Sequence, residues 1–204
     1  MTIETVDCHP EVEAKGQYLL SFLESTEDVL PALRRRTEDI LAANGIEEVD
    51  PTADYRVVDV ARAFRDVADS LGERTVRRGG EQMGRDIPFP PPVDSPQDAL
   101  AALDQIHRDA CRLPAGADPV KAPAGGYEYA REDDESARIA ITDRYPFPSV
   151  MAEGLVAGVV NRYTDTDTTV DIESVAPESS ERAAWLVSWT APERTERRSI
   201  AEGH

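Results

Sequence analysis

The hydrophobic pattern of this chain changes period between residues 112 and 126, and that change constrains the fold more than any other feature. Before it, apolar residues recur every three or four positions. After it come two short alternating runs, one more helical stretch and two further alternating runs. Helices gathered in one half and strands in the other describe an α+β fold, in which an N-terminal helical half packs on a C-terminal antiparallel sheet with a crossing helix. The 204 residues suffice for one such domain over 1–204 with a proper core. Its parts read as a helical subdomain over 11–112, a strand-helix-strand subdomain over 124–191 and a frayed tail over 192–204.

Tyr18, Leu19, Phe22 and Leu23 mark the first helix, and Ser25 or Thr26 is placed to cap the next. Leu30, Leu33, Thr37, Ile40 and Leu41 share a second helical face that stops at Asn44-Gly45. A third helix fits Tyr55 to Leu71 with Gly72 as its terminator, and a weaker one follows to about Met83, with Gly79-Gly80 as a break. Five prolines between Asp86 and Pro96 form a connector, and Ser95-Pro96 supplies a cap and a first-turn proline for the helix that runs to about Arg112. Leu100, Leu103, His107 and Ala110 form the inward face of that helix. GYEYAR and ARIAITDR predict an antiparallel pair, Phe147 to Tyr163 the crossing helix, and VDIESVA and AAWLVSWTA two closing strands. Gly154 and Gly158 allow a neighbour to approach the crossing helix closely, and Trp185 and Trp189 share one face of a strand.

Charge removes several function classes. Forty acidic against 22 basic residues give a net charge of -18, which repels nucleic acid and anionic membranes. Only Lys15 and Lys121 are lysines, the other basic residues being arginine, and this balance points to a halophilic source. In molar salt the Debye length is ~3 Å, so such a surface no longer repels itself. Folding is therefore expected to depend on salt, and a circular-dichroism melt should show a lower midpoint in 0.1 M than in molar salt. An unchanged midpoint would contradict this. No apolar run approaches the roughly 20 residues of a membrane span, and MTIETVDCHP lacks the regions of a signal peptide, so the expected location is cytoplasmic. Cys8 and Cys111 read as ordinary thiols in a reduced compartment.

No GxSxG elbow, P-loop, GxGxxG fingerprint, HExxH or CxxC occurs, so the chain does not read as an enzyme. One inward histidine remains. His107 is the only histidine inside a predicted element, since His9 precedes the first helix and His204 ends the chain. It reads either as a satisfied core residue or as the proximal ligand of a haem iron facing an apolar cavity. Leu103, Tyr18 and Phe22 are the candidate walls of that cavity.

The order of parts, with LDQIHRDACRLPAGADP at its centre, resembles the haem nitric oxide/oxygen-binding (H-NOX) family and its vinyl-reductase-like ligand-binding relatives. The likeness runs from Lys15-Gly16 to Trp189, with Leu103, His107, Gly116 and Pro119 at matching places. KGQYLLSFLE resembles the family's first helix over the distal side of the haem, and AEGLVAGVVNRY resembles the helix between its strand pairs. The resemblance implies a haem held by His107 as metal ligand, with Leu103, Pro119, Tyr18 and Phe22 around it. It also implies a sensory domain that signals through a separate regulatory protein, and a homo-oligomer is compatible with it. The family's Tyr-x-Ser-x-Arg motif for the haem propionates is absent, the aligned positions being Ile141, Asp143 and Tyr145. Arg144, one residue out of register, is the candidate carboxylate contact. DRYPFPSVMAEGL resembles the haem-free relatives, whose cavity takes other small ligands or only mediates contacts. Two functional readings follow: a small-ligand or haem-binding sensory domain acting through a partner, and a ligand-free interaction module in signalling or transcription control.

Overall fold

The helical period before residue 112 forms five helices in the computed structural model, which describes residues 8–118, 120 and 123–190. They are α1 (Gly16–Val29), α2 (Pro31–Ala43), α3 (Val57–Leu71), α4 (Glu73–Asp86) and α5 (Pro96–Ala110). The α3 stripe Val57, Val60, Ala61, Phe64 and Val67 is buried as its spacing requires. Ser95 caps α5 as expected, its side chain accepting from the Asp98 N–H.

Three local expectations are corrected. Ser25 and Thr26 do not cap α2. Both lie within α1, where their hydroxyls donate to Phe22 O (2.6 Å) and Leu23 O (2.7 Å). The α2 start is set instead by Pro31 in the first turn, whose fixed φ suits that position, and Leu30 stays exposed. Gly79-Gly80 is no break, because α4 runs through both. Packing overrides their poor helix propensity, since any side chain there would strike a neighbour. Tyr55 belongs to a strand and not to α3.

That strand is part of a small sheet with no sequence signal. β1 (Glu13–Lys15) pairs antiparallel with β2 (Asp54–Arg56) and with β3 (Cys111–Arg112), in the order β2-β1-β3. Ala14 stands opposite Tyr55 on one side and Cys111 on the other. Segments of two or three residues carry no readable alternation, yet this sheet ties the start of α1, the start of α3 and the end of α5 together.

After residue 124 the larger sheet forms as the alternation predicts. β4 (Tyr127–Arg131), β5 (Ser136–Thr142), β6 (Thr169–Val175) and β7 (Glu181–Thr190) make an antiparallel sheet in the order β4-β5-β7-β6. Ile139 faces Trp185 and Val170 faces Trp189, so both tryptophans pack on one face and are buried. The crossing helix α6 (Ser149–Arg162) lies against α4 with almost no side chain between them. Gly80 and Gly84 of α4 meet the α6 backbone at Met151 and Leu155, while Gly154 and Gly158 of α6 meet the α4 backbone at Arg77 and Glu81. This contact joins the helical half to the sheet half, and one buried apolar cluster includes side chains of both. Among the described residues no helix is long and apolar enough to cross a membrane.

Candidate functional site

Helix α5 is bonded along its length to the beginning of the sheet half, and this orients His107. Near its start, Gln97 donates to the Asp133 carbonyl (2.8 Å) and accepts from the Tyr129 hydroxyl (2.5 Å). Two turns on, Asp104 accepts from the Tyr127 N–H (3.1 Å). His107 comes next on that face. Its Nε2 lies 3.0 Å from the Ala124 carbonyl oxygen, which can only accept, so Nε2 carries the proton and Nδ1 is the proton-free nitrogen of the neutral ring. Burial pulls the imidazole below its ordinary pKa of 6.5, against the opposing effect of the Ala124 bond, and His107 stays neutral.

Aromatic rings surround the imidazole. Tyr145 stacks on it with centroids 5.0 Å apart and planes 29° apart, while Tyr127 and Phe147 meet it edge-on at 5.8 and 6.3 Å. The Tyr127 and Tyr145 hydroxyls bond to each other at 2.7 Å, and burial raises both phenols above their ordinary value. Beside this cluster lies an apolar cavity of about 60 Å³ at the junction of the two halves. Leu103, His107, Ala110 and Cys111 line it from the α5 side, Tyr18 and Leu19 from α1, Phe64 from α3, Met151 and Leu155 from α6. Tyr18 and Ile106 are the half-buried members of its wall.

The expected site residues therefore divide. Leu103, His107 and Tyr18 meet at the cavity. Phe22 is buried one layer behind, against Phe64 at 4.3 Å, because its ring fills the space beside Gly79. Arg144 is exposed in the turn after β5 and does not line the cavity. Pro119 lies outside the described residues, as does the tail over 192–204. Tyr127, Tyr145 and Phe147 also belong to this wall, and the sequence pattern does not single them out as site residues. Tyr145 is the most telling of these, because it stands where the resemblance places the arginine of the propionate motif, and it is turned inward.

A cysteine and a histidine in one cavity wall invite a nucleophile reading. Burial answers it, pushing the Cys111 thiol up to about 12, whereas a reactive thiol lies below its ordinary value. Among the described residues no group of three His, Cys, Asp or Glu side chains is placed to hold a metal ion.

Comparison with solved structures places this architecture. An oxygen-binding H-NOX domain related to soluble guanylate cyclases, in its oxygen complex, superposes with a TM-score of 0.60 at 16% identity, over 87% of this chain and 96% of that one. The chain has an H-NOX-like fold. A mutant H-NOX from T. Tengcongensis gives 0.58 at 16% identity over 88% and 99%, and an Fe(II) unliganded H-NOX mutant from K. algicida gives 0.59 at 12% over 88% and 98%. No protein-family model matches the sequence. No curated protein matches it either.

The side chains in this H-NOX-like chain do not fit a haem. Pockets for drug-sized molecules enclose about 300 to 1,000 Å³, and a porphyrin is at least that class of ligand, against a cavity of about 60 Å³ here. The Nε2 atom of the imidazole is committed to the Ala124 carbonyl, and the Tyr145 ring is stacked against the imidazole where a porphyrin would need room. His107→Ala is expected to cost roughly 1 to 3 kcal/mol of stability, through a cavity and a stranded Ala124 carbonyl. Urea denaturation in molar salt measures this, and unchanged stability would place the side chain outside the packed core.

Proposed function

We propose that this chain is a regulatory ligand-binding domain that uses the H-NOX-like fold without haem, takes a small neutral molecule in the cavity beside His107, and passes its state to a separate signalling protein. The observation that carries the reading is the Tyr145 ring stacked on His107 within an apolar cavity, since it supports a binding site and removes the space for a porphyrin. The chemistry of the wall supports a non-catalytic role. His107 is neutral, with Nε2–H committed to a carbonyl, and the Cys111 thiol is held protonated. A change in the cavity then has its effect through the surface, where a partner would read it.

The test is an absorption spectrum of protein expressed with haem available and purified in molar salt. No Soret band is expected. A Soret band in the wild type that disappears in His107→Ala would overturn the haem-free reading.

A further inference from the structure

The segment that follows β5 brings Tyr145 and Phe147 into the cavity wall, and its backbone is held from both halves of the molecule. Arg182 of β7 donates from Nη1 to the Tyr145 carbonyl (2.5 Å) and from Nη2 to the Phe147 carbonyl. Arg65 of α3 donates from Nη2 to the carbonyl between them, that of Pro146 (3.3 Å). Three consecutive carbonyl oxygens thus accept from two guanidiniums. The Arg182 guanidinium also lies over the Tyr145 ring, 5.6 Å from its centroid. Charge-assisted bonds of this kind are stronger than neutral ones, so the two rings are fixed in place by their own backbone.

What remains beside them is small and nonpolar. Among the described residues no charged side chain lines the cavity, the Tyr127 and Tyr145 hydroxyls are bonded to each other, and His107 Nε2 is bonded to the Ala124 carbonyl. An apolar cavity of roughly 150 Å³ holds benzene, so one of about 60 Å³ holds two or three heavy atoms. We propose that Arg65 and Arg182 lock Tyr145 and Phe147 as a fixed plug, which restricts the cavity to neutral, apolar molecules of about three heavy atoms. The proposal rests on the haem-free reading and adds the element that sets the size limit. With so few atoms, affinity is bounded near the half-millimolar range, so the occupant must be abundant.

The experiment measures the shift in thermal midpoint caused by saturating benzene in molar salt, for the wild type, Phe147→Ala, Arg182→Ala and Arg65→Ala. The wild type should show no shift. Phe147→Ala should gain a saturable upward shift, because the locked backbone keeps the vacated space open. Arg182→Ala should also gain it, with both rings and Phe147 intact in sequence, since the plug is then free to withdraw. Arg65→Ala, which removes one of the three bonds, gives the same readout with a smaller gain and carries the test if Arg182→Ala does not fold. A wild-type shift with benzene overturns the proposal, as does a folded Phe147→Ala that ignores it. Folded arginine variants that ignore benzene while Phe147→Ala responds would overturn the lock. A Soret band in the wild type would instead defeat the haem-free reading on which the proposal rests.

Discussion

Gly158→Ala should destabilise the protein by about 3 kcal/mol or more, although alanine is the better helix former. In the interior of an exposed helix the exchange gains up to about 1 kcal/mol. Here the new Cβ would lie 1.9 Å from the Glu81 carbonyl oxygen and 3.1 Å from the Arg85 nitrogen. Both are backbone atoms of α4, so no rotamer change relieves the overlap, and the two helices have to separate. Overpacking costs typically ~1 to 3 kcal/mol even where side chains can give way, which places a backbone clash at or above the top of that range. The damage should spread, because the neighbouring Gly154 is as close to Arg77 O (2.0 Å) and depends on the same crossing. It should also reach the cavity, whose wall includes Met151 and Leu155 of α6. Urea denaturation in molar salt, with exposed Asn161→Ala on the same helix as control, measures the effect. A Gly158→Ala protein as stable as that control would show that α4 and α6 are not in the contact described.

This crossing shows what kind of information the sequence carries. Gly154 and Gly158 announce a close approach, because two glycines one turn apart inside an apolar helix have few other uses. Their counterparts Gly80 and Gly84 sit in the polar ERTVRRGGEQMGRD, where the same spacing reads as helix weakness. Only the partner helix reveals them as the other half of one contact. The four-stranded sheet was legible because alternation is local. The β2-β1-β3 sheet was not, since its strands are too short to alternate and its pairing joins residues as far apart as Ala14 and Cys111.

The site was legible to the same degree. His107 and Leu103 follow from the helical face of α5, and Tyr18 from that of α1. Tyr145 and Phe147 sit in a proline-flanked turn with no period, so nothing local says which way their rings point. Their direction is set by Arg65 and Arg182, 80 and 37 positions from Tyr145 in sequence, a relation visible only in three dimensions.

The buried ion pair of the sheet gives the other large expected effect. Glu181 is almost entirely buried, its side chain 1% exposed, and its carboxylate meets both Nη atoms of Arg138 at 2.6 and 2.5 Å across β5 and β7. The Arg138 bonds hold the Glu181 carboxyl below its ordinary value of 4.5, and the Glu178 N–H helps. Arg138→Ala should cost about 3 kcal/mol at neutral pH, since it leaves a buried charge with one backbone donor as its remaining partner. Because the folded pKa is depressed, the stability this pair supplies is present above pH 4.5 and is lost as pH falls through the lower folded value. The difference between wild type and Arg138→Ala should therefore shrink as pH falls from 6 to 3, since the wild type progressively loses a stabilisation that the variant lacks. The double variant Arg138→Leu/Glu181→Leu should recover most of the loss at neutral pH, because two apolar side chains strand no charge. Urea denaturation of the three proteins in molar salt at the two pH values measures all of this. A single variant no less stable than the double at neutral pH, or a difference that grows on acidification, would mean that the pair is not the buried, mutually satisfied contact described.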